Sequence, residues 1–112
     1  MDKLWSEIIR SGGRCEICGK TTNLQAHHVI GRRNLSLRWD LHNGVCLCPG
    51  CHTFSKTSAH QNPIYFLDWF KKHRPEDYEY LIKKKNKTKT FYLSDYEEIY
   101  KELKEVRDKK DV

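Results

Sequence analysis

The apolar positions fall into short groups with different spacings. Leu4, Trp5 and Ile8 share one face of a first helix over Lys3 to Arg10, which Asp2 is placed to cap and Ser11-Gly12-Gly13 stops. From Leu24 to Ile30 the period changes to two. Leu24, Ala26, His28 and Ile30 alternate with Gln25, His27 and Val29, which reads as a strand. Gly31 to Asn34 reads as a loop. The turn signal Asn43-Gly44 precedes a second short apolar run, Val45-Cys46-Leu47. A helix is expected from His52 onward, completing a ββα unit over roughly residues 24–58. Asn62 and Pro63 start a further helix whose Ile64, Tyr65, Phe66, Leu67, Trp69 and Phe70 are expected to be mostly buried. Pro75 opens another, with Glu76 and Asp77 near its positive end and Lys83, Lys84 and Lys85 near its negative end. Asn86 to Tyr92 reads as a linker. Ser94 with Glu97 forms a capping box for a last helix. Its stripe Tyr96, Ile99, Tyr100, Leu103 and Val106 is either core packing or an interface, which leaves monomer and homodimer both open.

Composition adds a constraint. The chain has 112 residues, 38% hydrophobic and 32% charged, so it makes one small α+β domain whose oil alone gives a marginal core. A staple is expected. The apolar runs are far shorter than the roughly 20 residues of a membrane span, and the first residues lack an apolar signal core, so a cytoplasmic location is expected. Charge is unevenly spread: residues 1–90 carry 16 Lys/Arg against 8 Asp/Glu, whereas residues 91–112 carry 5 against 7. A basic body suits a polyanion such as nucleic acid, and equally suits a solvated surface.

Four of the five cysteines are spaced to supply the staple. Cys15-x-x-Cys18 and Cys48-x-x-Cys51 are two pairs with 29 residues between them. In a reducing compartment, two such pairs offer four thiolates to one tetrahedral ion, for which structural Zn²⁺ is the default. Gly19, just after the first pair, lets backbone N–H groups turn toward the sulfurs. Cys46 is the odd thiol and reads as packed.

Three histidines and an asparagine interleave with these pairs. His27-His28 is followed by Asn43 after 14 residues, and Asn43 by His52 after 8. The elements Ala26-His27-His28-Val29-Ile30, Leu41-His42-Asn43-Gly44-Val45-Cys46-Leu47-Cys48 and Cys51-His52, in that order, resemble the HNH endonucleases, and the resemblance spans residues 15–60. It implies a ββα-metal (HNH/His-Me finger) core stapled by Cys₄ zinc and flanked by helices. Residues 1–62 would form that core with the first helix, and 63–112 a helical extension packed on the same domain.

The resemblance also implies roles. His28 would be the general base, and His27, the residue before it, a ligand of a catalytic divalent cation (Mg²⁺, Mn²⁺, Ni²⁺ or Zn²⁺). Strict strand alternation aims the two histidines to opposite sides, a tension that sequence leaves open. His52 would be a second ligand. Asn43 either pins the loop and orients the base or touches the cation. One turn after His52 stands Lys56, which cannot ligate, so His60 is the substitute, as a ligand or in a surface role. Arg32, Arg33, Arg38 and Lys56 are candidate DNA-phosphate contacts, with Lys83 to Lys89 as a more distant track. His42 and His73 carry no implied role. The implied activity is hydrolysis of DNA to 5′-phosphate and 3′-hydroxyl ends. Phage-type relatives would add packaging, recombination or mobility roles and partners, in a bacterial host cell. The alternative is a non-catalytic zinc-dependent DNA-binding module.

Overall fold

The computed structural model describes residues 1–87 and 89–110. Thr88, inside the expected linker, and the last two positions of the 63–112 extension lie outside them. Helix α1 spans Asp2–Arg10. Strands β1, Gln25–His28, and β2, Gly44–Leu47, pair antiparallel with His27 opposite Val45 and His28 opposite Gly44. Between them run a short helix α2, Leu35–Arg38, and a tight turn, Leu41–Asn43. Helices α3, Pro63–His73, α4, Pro75–Lys84, and α5, Leu93–Lys110, complete the chain. Among the described residues no helix is long and apolar enough to cross a membrane.

Two apolar clusters hold these elements. The larger gathers Leu37, Val45, Leu47, Ala59, Phe66, Phe70 and Leu81 around Cys15 and Cys48. The smaller packs Leu4, Trp5 and Ile8 of α1 on Leu103 of α5, with Ile99 and Val106 beside them. The last-helix stripe is therefore largely core, with Tyr100 left half exposed. Arg74, between α3 and α4, joins the clusters from outside. Its guanidinium donates to Asp77, to Glu16 and to the carbonyls of Gly44 and His42, over the ring of Phe70.

Four local expectations are corrected. Asp2 does not cap α1. It is the first helical residue, and its carboxylate accepts from Arg38 and the Trp39 indole instead. The last helix starts one residue before Ser94. Asp95 accepts from Tyr92 N, the reach-back half of a capping box, so the cap lies at Tyr92 and not at Ser94 with Glu97. α3 buries only Phe66 and Phe70. Ile64 is 84% exposed and Tyr65 56%, because one short helix on one core presents a single stripe to it. The turn signalled by Asn43-Gly44 is centred earlier, at Leu41–Asn43, with Gly44 as its cap. Gly44 is extended within β2, and Asn43 is fully buried.

Gly44 answers a different need. A Cβ there would fall on the Ile9 side chain and the Trp5 ring. Gly44→Ala is expected to lower the unfolding free energy by about 1–3 kcal/mol, against a near-neutral Gly12→Ala, where nothing lies close; denaturant melts of the two variants check this.

Candidate functional site

The two C-x-x-C turns meet. The sulfurs of Cys15, Cys18, Cys48 and Cys51 all lie within 4.8 Å of one another, and Cys18 Sγ is 3.5 Å from Cys48 Sγ. Four sulfurs each about 2.3 Å from one ion stand about 3.8 Å apart, so the cluster has the size of a tetrahedral metal site. The local backbone is built for anionic sulfur. Gly19 takes a left-handed φ of 81° and donates to Cys15 O, closing the knuckle. Burial would raise the Cys15 thiol, but the N–H groups of Cys18, Cys48 and Ile17 aim at its sulfur and hold it down to about 7. Cys51 is pushed well above the ordinary range by burial and by the neighbouring sulfurs. Four sulfurs this close repel one another as thiolates, and a cation among them would offset that repulsion as the protons leave. Cys46 stands apart: burial raises its thiol, and its backbone N–H donates to Glu16.

A second cluster forms beyond Cys51. Ligand nitrogens of His27, His52 and His60 also lie within 4.8 Å of one another. The helix expected from His52 is here a single wide turn, Gly50–Phe54. The chain then folds back, with Ala59 N on Cys51 O and His60 N on His52 O, and buried Ser58 bonded to Thr53 O. This return sets His60 Nε2 3.0 Å from His52 Nε2. Ligands about 2.1 Å from one ion stand about 3.0 Å apart at octahedral and about 3.4 Å at tetrahedral angles, so these residues fit a cation. His52 Nδ1 is 2.7 Å from Gln25 Oε1. That oxygen only accepts, so Nδ1 carries the proton and Nε2 keeps its lone pair for a metal. His27, 8% exposed, is pushed down to about 3, first by burial and then by His52, His60 and His28. It stays neutral throughout the physiological range, as a metal ligand must be.

His28 takes the other side of β1, as alternation requires. Its ring stacks on Trp5 with centroids 3.9 Å apart and planes 12° apart. Its Nε2 is 2.9 Å from Arg38 O, a carbonyl that only accepts, which leaves the lone pair on Nδ1. Burial lowers its basicity, against the opposing pull of that carbonyl. Both histidines nonetheless line one cleft of about 380 Å³, walled by Asp2, Trp5 and Ser6 of α1 on one side and His52 and His60 on the other.

Asn43 lies outside the cleft. Its Oδ1 accepts from Ile30 N, and its Nδ2 donates to Ile30 O and Leu37 O at 2.7–3.0 Å, so both ends of the amide are occupied in pinning the 30–37 loop. Of the basic candidates, Arg32 lines the cleft, and Arg33 and Lys56 are exposed. The Arg38 guanidinium is paired with Asp2 over the Trp39 ring. His42 bonds Asp77 and packs on Tyr80; His73 bonds Trp69 O, near the end of α3. Sequence reasoning missed Gln25 and Trp5. Gln25 was findable, since it sits two residues before His27 on the same strand face. Nothing in the local pattern joins Trp5 to His28, which lies 23 positions further on.

The short antiparallel sheet, the turn that follows it and the adjoining Cys₄ cluster make this a small α+β fold of the ββα-metal type. Residues 15–57 match the family model for HNH endonuclease. The HNH resemblance holds over that segment, and with it a nuclease or DNA-binding role beside a Cys₄ metal site. No curated protein and no solved structure matches the chain.

Two measurements follow. Stripping the Cys₄ cluster with a strong chelator, or Cys15→Ser, is expected to unfold the chain, read by circular dichroism. Metal analysis of the intact protein should give about one tightly held ion per chain. The second concerns His27, whose folded-state pKa lies below its unfolded value. The unfolded chain takes up a proton as pH falls below 6.5 and the folded chain does so only near 3, so stability drops across that window. Without added divalent cation, wild type should lose at most about 2 kcal/mol between pH 7 and 5 through this group, and His27→Gln should flatten the slope; denaturant melts at the two pH values check it.

Proposed function

We propose that the protein is a metal-dependent HNH endonuclease that hydrolyses DNA phosphodiester bonds. The observation that carries the reading is the convergence of His28 on the same cleft as the His27–His52–His60 cluster, with the His28 tautomer fixed by Arg38 O. His28 is the general base: Nδ1 takes a proton from water, the oxygen attacks phosphorus, and the bond to the 3′ oxygen breaks, that oxygen taking a proton from a solvent water to become the 3′-hydroxyl. His27, His52 and His60 would hold a divalent cation, which would supply positive charge for the transition state and the departing 3′ oxygen. Three imidazoles and no carboxylate favour Ni²⁺ or Zn²⁺ over Mg²⁺. Asn43 is a positioning residue, holding the loop that follows β1. Arg32, Arg33 and Lys56 contact phosphates, while Arg38 serves through its carbonyl. Zn²⁺ is the ion of the Cys₄ site, in keeping with its all-sulfur donor set.

Residues 1–62 form the core and 63–112 an extension on the same domain, a division supported by Phe66 and Phe70 reaching from α3 into the cluster around Cys48. A bacterial host and a phage-type role in packaging, recombination or mobility follow from the family resemblance, and a cytoplasmic setting from the reducing compartment that suits four metal-binding thiols.

Supercoiled plasmid incubated with Mg²⁺, Mn²⁺ or Ni²⁺ is expected to be nicked by wild type. His28→Ala should lose about 10²–10⁴-fold in rate while staying folded. Binding of DNA with no cleavage under any of these metals would leave the DNA-binding module standing in place of the enzyme.

A further inference from the structure

We infer that helix α1, which lies outside the segment matched by the family model, is part of the catalytic apparatus, with Trp5 as a positioning residue that fixes the plane of the His28 ring. This rests on the nuclease reading of the cleft. A general base is effective only when its lone pair is aimed, and an imidazole held by one hydrogen bond can still swing about that bond. His28 has one such bond, Nε2 to Arg38 O, at 2.9 Å. The second restraint is the Trp5 indole, stacked on the ring at 3.9 Å with 12° between planes.

The surroundings are arranged around that stack. Trp5 is 1% exposed, and its Nε1 donates to Asp40 O at 3.0 Å, which fixes the rotation of the indole. Opposite His28 in the sheet register stands Gly44, and a Cβ there would fall on the Ile9 side chain and the edge of the Trp5 ring, so α1 lies close against this end of the strand pair. A tryptophan needed only as core filler would not require a histidine ring parallel to its own. One turn earlier in the numbering, Asp2 grips Arg38 through two nitrogens and Trp39 through its indole. That steadies the backbone whose carbonyl holds His28. The same helix thus restrains both the face and the edge of the proposed base, and α5 backs it through Leu103.

The test uses the full chain with its Cys₄ metal in place and follows nicking kinetics, Ni²⁺ affinity by calorimetry, and the His28 ring signals by NMR, assigned by their loss in His28→Ala. Trp5→Leu is expected to lower kcat about tenfold or more with KM changed less than about twofold. Ni²⁺ affinity should be unchanged, and the His28 ring protons should move downfield as the indole ring current disappears. Retained kcat, or a parallel fall in kcat and Ni²⁺ affinity, would overturn the inference, because the second pattern means general loosening of the domain. Should Trp5→Leu fail to fold, Asp2→Asn carries the same test from the surface. It is expected to lower kcat about threefold at constant Ni²⁺ affinity, and an unchanged kcat counts against the proposal. If wild type cleaves nothing, the nuclease reading falls. The His28 ring shift in Trp5→Leu or Trp5→Phe then decides separately whether the stack exists.

Discussion

Four sulfurs crowded within 4.8 Å of one another tie residues 15–18 to residues 48–51, and the rest of the molecule hangs on that knot. A two-stranded ribbon of four residue pairs does not stand by itself in water. Here the first knuckle is bonded to the middle of β2, where Glu16 N donates to Cys46 O and Glu16 Oε2 accepts from Cys46 N. The second knuckle leads straight into the turn that carries His52. The metal cluster and the histidine cleft are therefore consecutive features of one short stretch of chain. Any ion that fixes the first also fixes the approach of the second.

The cleft is assembled from both faces of β1. His27 goes to the interior side, among His52, His60 and Phe66, and His28 goes to the side of α1. The division separates two electrostatic tasks. On the interior side burial and neighbouring imidazoles keep the ring neutral, which suits metal ligation. On the other side a backbone carbonyl and an indole plane keep the ring aimed, which suits proton transfer. Adjacent residues in a strand are the shortest route to two such environments, because the pleat separates them without a bend in the chain.

Much of this was legible in the sequence. Cysteine spacing located the Cys₄ cluster, and His27, His28 and His52, singled out by their order along the chain, all line the candidate cleft, whereas Asn43, singled out with them, lies outside it. Strand alternation correctly placed His27 and His28 on opposite sides; what it could not supply was the third dimension, in which one cleft collects from both. His60 was legible as a residue type but not as a position. It reaches His52 through a backbone return at residues 58–60, and helical spacing has no bearing on such a return. Asn43-Gly44 marked the end of the tight turn Leu41–Asn43 but not what the pair does there: the asparagine pins a distant loop and the glycine makes room for Ile9 and Trp5. The exposed Ile64 and Tyr65 show the same limit, since an apolar run does not say which of its members the core has room for.

That asparagine–glycine pair also bears on how the protein ages. Asn-Gly is the dipeptide most open to deamidation, which requires the glycine nitrogen to attack the asparagine side-chain carbonyl and close a five-membered ring. In the folded chain the Gly44 N–H is engaged by Leu41 O, the Asn43 Oδ1 is held by Ile30 N, and Gly44 is locked extended in β2. Neither reacting atom can turn toward the other while these bonds persist. The pair is protected as long as the domain stays closed and becomes labile each time it opens. Conversion of Asn43 to aspartate would then replace an amide that donates to two carbonyls with a group that only accepts, and the loop could not be pinned again. Damage at this one position would accumulate as a chemical record of unfolding.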